Sequence, residues 1–178
     1  MEIAYVILLD GELYNYTRRL QTNLSRLVNT KQALQLEPHI TVKYGFEIKD
    51  ISPFEKYFDQ LVNSIHPFTI RLNKINYFEP NVAFLYIEKN KDLTNLHSNI
   101  LEFLDKNHSI KPSEFEGPSF HFHTTLAYKD LSSEDFIKVK NYLKNESPNY
   151  KYSVSKMAIY ILLSQEDKWF IYKIGSLK

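Results

Sequence analysis

The sequence contains no cysteine, which rules out disulfides, thiolate metal ligands and a cysteine nucleophile. A reducing compartment is compatible with that absence. Glycine is scarce, with four in 178 residues, while 43% of the chain is hydrophobic. That composition belongs to a folded globular protein rather than a disordered one. Neither sign of charge dominates, since 22 basic residues meet 21 acidic ones. Such a balance speaks against an extended nucleic-acid duplex held on a general basic surface, because that binding neutralises many phosphates at once. It leaves room for a small nucleotide, or a strand end, held by a few residues. Long apolar runs are missing too. Residues 5–9 (YVILL) fall far short of a signal-peptide core or a membrane span, and Glu2 stands where a signal peptide would carry positive charge. The expected location is the cytoplasm.

What is present is an order of elements that runs twice. Residues 3–9 have the apolar, β-branched character of a buried strand, and Leu13, Tyr16, Leu20, Leu24 and Leu27 are spaced for a helix. A strand follows at about 39–44. Residues 50–65 read as a helix with Ser52 as N-cap, Pro53 at its first position and Glu55 completing a capping box. Two strands flank the turn EPN at 79–81. Helix, strand and helix then recur, and two strands joined through residues 164–167 (SQED) close the chain.

Ala4 and Phe84 open matching strand–helix segments, 80 residues apart. KDIS at 49–52 matches KDLS at 129–132, also 80 apart, and His39 matches His123 at a distance of 84. The whole of 1–178 therefore reads as one domain with an internal repeat at about 3–78 and 82–162 and a closing strand at about 168–176. Two similar lobes related by a pseudo-twofold axis are expected, each with one equivalent strand.

Those equivalent strands carry the unusual residues. PHITVKYG (38–45) and FHTTLAYK (122–129) both contain His-x-Thr followed by an apolar residue. Side chains alternate along a strand. Strict alternation puts His39, Thr41 and Lys43 on one face of the first segment and Ile40, Val42 and Tyr44 on the other. In the second it puts His121, His123, Thr125 and Lys129 together, with Phe122, Leu126 and Tyr128 opposite. Each strand thus gains an apolar packing side and a side with an imidazole next to a hydroxyl.

Those groups suit phosphodiester cleavage, which removes a proton from the nucleophile and delivers one to the leaving oxygen. Histidine can hold either form near neutral pH, so two of them on opposite sides of one phosphorus supply base and acid. Threonine hydroxyls can bond the non-bridging oxygens where charge gathers. Lys43 is placed to add positive charge. No metal or other cofactor is required.

At these residues the sequence resembles the 2H phosphoesterase superfamily, named for its paired His-x-Thr/Ser motifs. The superfamily includes bacterial 2′-5′ RNA ligase-like proteins, cyclic phosphodiesterases and certain viral 2′-5′ oligonucleotide hydrolases. The resemblance spans nearly the whole chain, and both motifs match the family pattern. It implies an α+β fold of two lobes, with antiparallel sheets flanked by helices and an active-site cleft between them. It also implies that His39 and His123 are acid and base and that Thr41 and Thr125 bind phosphate. Lys43, Tyr44, His121, Tyr128 and Lys129 are further candidates for substrate contact. Implied substrates are an RNA end, an oligonucleotide or a cyclic nucleotide, bound by a protein of a size that can stand as a monomer.

Hydrolysis of a 2′,3′-cyclic phosphate or a 2′-5′ linkage is favoured. Ligation, hydrolysis of a cyclic-oligonucleotide signal and non-catalytic binding of an RNA end remain alternatives. His121 and His123 could instead be two zinc ligands on one strand, although no motif marks a third. His66 reads as a local cap, His97 and His108 as partly exposed helix residues, and Trp169 as core.

Overall fold

The computed structural model describes residues 1–163 and 168–178; the turn expected at 164–167 lies outside the described residues. Eight strands and four helices are present among them: β1 (Glu2–Leu8), α1 (Gly11–Val28), β2 (His39–Glu47), α2 (Ser52–Ser64), β3 (Phe68–Phe78), β4 (Val82–Ile87), α3 (Lys91–His108), β5 (His123–Ala127), α4 (Ser133–Leu143), β6 (Tyr150–Val154), β7 (Lys156–Leu162) and β8 (Trp169–Ser176). A short 3-10 turn at Gln32–Leu34 precedes β2. The strands form two antiparallel four-stranded sheets, ordered β2-β1-β7-β8 and β5-β4-β3-β6. This is the expected α+β architecture.

The helices follow from apolar stripes at helical spacing. Leu13, Leu20 and Leu24 are buried on α1, and Leu93, Leu96, Ile100 and Leu104 on α3. Both helices end on a left-handed residue that frees the chain to turn. Asn29 ends α1 and Ser109 ends α3, each with φ 57°, and they lie 80 residues apart (109 − 29). Asn90 caps α3 and Ser132 caps α4 through the N–H groups of Leu93 and Asp135. The capping box expected at Ser52 is absent. Asp50 instead accepts the Ser52 N–H and hydroxyl, and Glu55 turns to Lys173.

The helices are traded between the sheets. α2 and α3 lie on the first sheet, against β7 and β8 and against β2, whereas α1 and α4 lie on the second, against β5 and β4. One apolar core runs beneath both sheets, from Ile3 and Leu20 to Leu126 and Val154.

The sequence segment expected to form one strand near 152–163 breaks at Ser155. β6 pairs with β3 in the second sheet, and β7 pairs with β1 in the first. The β3/β6 ladder forms one side of the second sheet, with β6 at its edge. Thr69 faces Ser153, and Phe68 and Ile70 face Val154 and Tyr152. These are the residues that an 84-residue offset makes equivalent (153 − 69, 152 − 68, 154 − 70).

Candidate active site

β2 and β5 are edge strands of their sheets, and their Cα atoms come within 8 Å of one another. Between them lies a cavity of about 380 Å³ lined by His39, Thr41, His123 and Thr125, within the usual size range of a small-molecule site. The structure therefore brings both His-x-Thr pairs to one cavity. Each of the four side chains is half-buried.

Both imidazoles are held in the same way. His39 Nδ1 lies 2.7 Å from the Glu37 carbonyl, and His123 Nδ1 lies 2.7 Å from the His121 carbonyl. A carbonyl oxygen only accepts, so Nδ1 carries the proton in each ring, and the neutral ring offers the lone pair of Nε2. An edge-on contact with the Tyr160 ring orients His39. Phe78 and Phe84 flank His123.

Burial is the main force on their proton affinity. It lowers His39 to about 4, against the Glu37 carbonyl bond that raises it and with further lowering by His123. Burial lowers His123 too, opposed by its bond to the His121 carbonyl and assisted by the nearby His121 ring. Both rings are neutral at pH 7 in the free protein. His39 is then expected to withdraw stability in acid. Its folded-state affinity is depressed, so its contribution is whole above about pH 6.5 and is lost as the pH falls toward 4. The shift from 6.5 to about 4 sets the scale at about 3 kcal/mol. Denaturant melts between pH 7 and 4 check this: the His39→Gln variant should lose less stability than the parent over that range, and parallel curves would refute the assignment.

Strict alternation fails just beyond each threonine, at the same place in both strands. Tyr5 and Val6 of β1 pair with Lys43 and Thr41, leaving Val42 as an extra residue. Ala83 and Phe84 of β4 pair with Ala127 and Thr125, leaving Leu126 extra. Such bulges reverse the facing of everything that follows. Lys43, expected beside His39, is buried at 2% exposure on the opposite side and pairs with Glu116 at 2.9 Å. Tyr44, expected on the packing side, lines the cavity instead. Tyr128 does the same in β5.

Burial, followed by the neighbouring carboxylate of Glu116 or Asp130, raises both tyrosines above the ordinary phenol range, so they remain donors at neutral pH. Two other candidates lie outside this cavity. Lys129 is exposed at φ 70° just after β5. His121 is exposed and borders a separate cavity of about 320 Å³ beside His97 and Phe120. Among the described residues no three His, Cys, Asp or Glu side chains gather as a metal site would require.

Sequence reading missed three groups. Trp169, expected in the core, lines the cavity. Its indole edge lies against the backbone of Gly45, where an added Cβ would sit 3.0 Å from the ring and 1.9 Å from a Glu2 oxygen. Tyr160 also lines the cavity, with its hydroxyl donating to the Glu37 carbonyl. His97, expected partly exposed, is 1% exposed. Its Nδ1–H donates to the Val42 carbonyl, and its Nε2 accepts from Gly117 N–H. The glycine at 45, between strand residues, was the one sequence signal for the close approach of Trp169.

Comparison with known proteins agrees with the fold. The family model of the 2′-5′ RNA ligase superfamily matches residues 10–166. A provisionally named phosphoesterase of Oceanobacillus iheyensis is 26% identical over 142 residues, covering 78% of each chain. One from Staphylococcus aureus strain Newman is 26% identical over 147 residues, covering 78% of this chain and 80% of its own.

Among solved structures, a protein of Thermus thermophilus superposes with a TM-score of 0.71 at 17% identity, over 99% of this chain and 98% of that one. Escherichia coli LigT complexed with 3′-AMP gives a TM-score of 0.63 at 15% identity, over 99% and 97%.

Proposed function

Because the chain belongs to the 2′-5′ RNA ligase superfamily, we propose that it is a metal-independent phosphodiesterase. Its substrates on this reading are the 2′,3′-cyclic phosphates or 2′-5′ linkages of RNA, oligonucleotides or nucleotides. The observation that carries the proposal is the pair of carbonyl-anchored imidazoles, each two residues before a threonine, lining one cavity. The nucleotide held by LigT supports a nucleotide-type ligand.

In hydrolysis of a 2′,3′-cyclic phosphate, Nε2 of one neutral histidine takes a proton from water as its oxygen attacks phosphorus. Nε2–H of the other histidine, now an imidazolium, protonates the departing ribose oxygen. The phosphodiester anion between the rings favours that second proton, which the free protein does not hold at pH 7. Thr41 and Thr125 donate to the non-bridging oxygens as negative charge builds there. Tyr44 and Tyr128 contact the remainder of the substrate. The near-equivalence of the two strands lets the histidines exchange roles with the direction of binding. The enzyme acts on this reading as a cytoplasmic monomer, with both repeats contributing to a single site.

An assay in strong chelator tests this, offering 2′,3′-cyclic nucleotides, 2′-5′ oligoadenylates and cyclic dinucleotides. Turnover of one of the first two classes is expected. Turnover of cyclic dinucleotides alone would move the assignment to signal hydrolysis, and nucleotide binding with no turnover would make the cleft a binding module.

A further inference from the structure

At each bulge a backbone carbonyl is bonded by a side chain from a helix of the other half of the sequence. His97 of α3 donates to the carbonyl of Val42, the extra residue of β2, at 2.7 Å. Gln21 of α1 donates to the Thr125 carbonyl, next to the extra residue of β5, at 2.8 Å.

A carboxylate then fastens each strand, just beyond its bulge, to a loop of the other half. Glu116, in the loop between α3 and β5, accepts the Tyr44 N–H at 2.8 Å and the Lys43 ammonium and Ser113 N–H at 2.9 Å each. Burial pushes its carboxyl up, but these three donors together hold it below the ordinary range. Asp130, just past β5, accepts the Thr30 hydroxyl and the N–H groups of Lys31 (2.6 Å) and Gln32 (3.2 Å) in the loop between α1 and β2.

The two arrangements are reciprocal. The second half grips the first His-x-Thr strand, and the first half grips the second. Both grips close where the chain turns its tyrosine into the cavity.

The geometry points to Glu116 and Asp130 as positioning residues, a pair of clasps that fix the bulges and hold the two His-x-Thr strands opposite one another. This inference deepens the phosphodiesterase reading and rests on it for its kinetic consequence. Neither clasp carboxylate touches the reacting atoms. A clasp acts through strand register, and a displacement on the order of 1 Å at a reacting group can cost about 10²-fold in rate.

Glu116 cannot be removed alone as a clean test, because Lys43 would be left buried without its counter-charge, holding only the Tyr44 carbonyl at 3.2 Å. The double variant Lys43→Met/Glu116→Met replaces the ion pair by apolar groups of similar length and removes the acceptor for Tyr44 N–H. The variant Lys43→Met/Glu116→Gln restores an acceptor without the charges. On a 2′,3′-cyclic nucleotide, the Met/Met protein is expected to lose about 10²-fold in kcat while KM moves far less, and the Gln form to recover most of the loss. Asp130→Ala should lower kcat in the same manner.

Proton NMR titration of the imidazole Cε1–H signals reads the same geometry without turnover. The Met/Met change should move the His39 midpoint and leave His123, and Asp130→Ala should do the reverse. If the parent protein turns over nothing, the enzymatic reading fails while these titrations still decide the clasps. A folded Met/Met protein with kcat within threefold of the parent and an unmoved His39 would overturn the inference. So would a Gln form as impaired as the Met form, since the lost charge pair would then account for the defect.

Discussion

Alanine at His39 or at His123 is expected to lower kcat/KM for a 2′,3′-cyclic nucleotide by about 10³- to 10⁴-fold, the upper part of the range for general acid–base catalysis. In the proposed mechanism each ring serves one of two concerted proton transfers, so losing either stops the step that the other assists. The double variant should therefore be little worse than either single one, as for residues that act as a unit. The rings touch the fold through single carbonyl bonds and aromatic contacts, so both variants should fold.

The pH profile separates this mechanism from one with a single base. Both histidines lie below 6.5 in the free protein, His39 at about 4. Since kcat/KM reports the free enzyme, its maximum should fall on the acid side of 6.5 and decline as the acidic partner loses its proton. The kcat profile should lie at higher pH, because bound phosphodiester holds that proton in place. A kcat/KM that climbs to a plateau through pH 8, or additive losses in the double variant, would show that the histidines do not form an acid–base pair.

The residues proposed to carry this chemistry were legible from local pattern, whereas their surroundings were not. His-x-Thr places its two polar groups on one face over three residues, too short a span for a register error to intervene. Tyr5–Lys43 and Ala83–Ala127 pairing depends on the partner strand, and alternation read along one strand alone has no access to it. That is why Lys43 and Tyr44 exchanged sides and why Tyr128, read onto the packing side, lines the cavity. The break at Ser155 is of the same kind, since β6 and β7 are both good strands and only their partners in different sheets divide them.

His97 illustrates a second limit. Its place on a helix face was plain, but the Val42 carbonyl that it bonds belongs to the extra residue of the β2 bulge. Trp169 illustrates a third: a large aromatic in a closing strand is usually packed away, and this one is brought to the cavity wall by a glycine 124 residues earlier (169 − 45).

Substituting valine for Thr41 and for Thr125 should have the second largest effect. Valine keeps the shape and the β-branched preference of a strand residue and removes only the hydroxyl, so the Val6–Thr41 and Phe84–Thr125 pairings are retained. Each single change is expected to lower kcat by about 10²-fold, at the low end for one donor to a developing oxyanion. In the proposed mechanism the threonines reach the phosphate from different strands and serve different oxygens, and so, unlike the histidines, they should act independently. The double valine variant is then expected to approach the product of the two losses. Serine at either position keeps a hydroxyl on the same carbon and should restore most of the rate.

Inhibition by inorganic phosphate gives a second reading, because a ground-state anion already uses the same donors and should bind more weakly to each valine variant. Losses confined to KM would mean that the hydroxyls bind substrate without favouring the transition state. Equal activity in the serine and valine proteins would remove the hydroxyls from the reaction, and the two histidines would then face a phosphate held by other groups of the cavity.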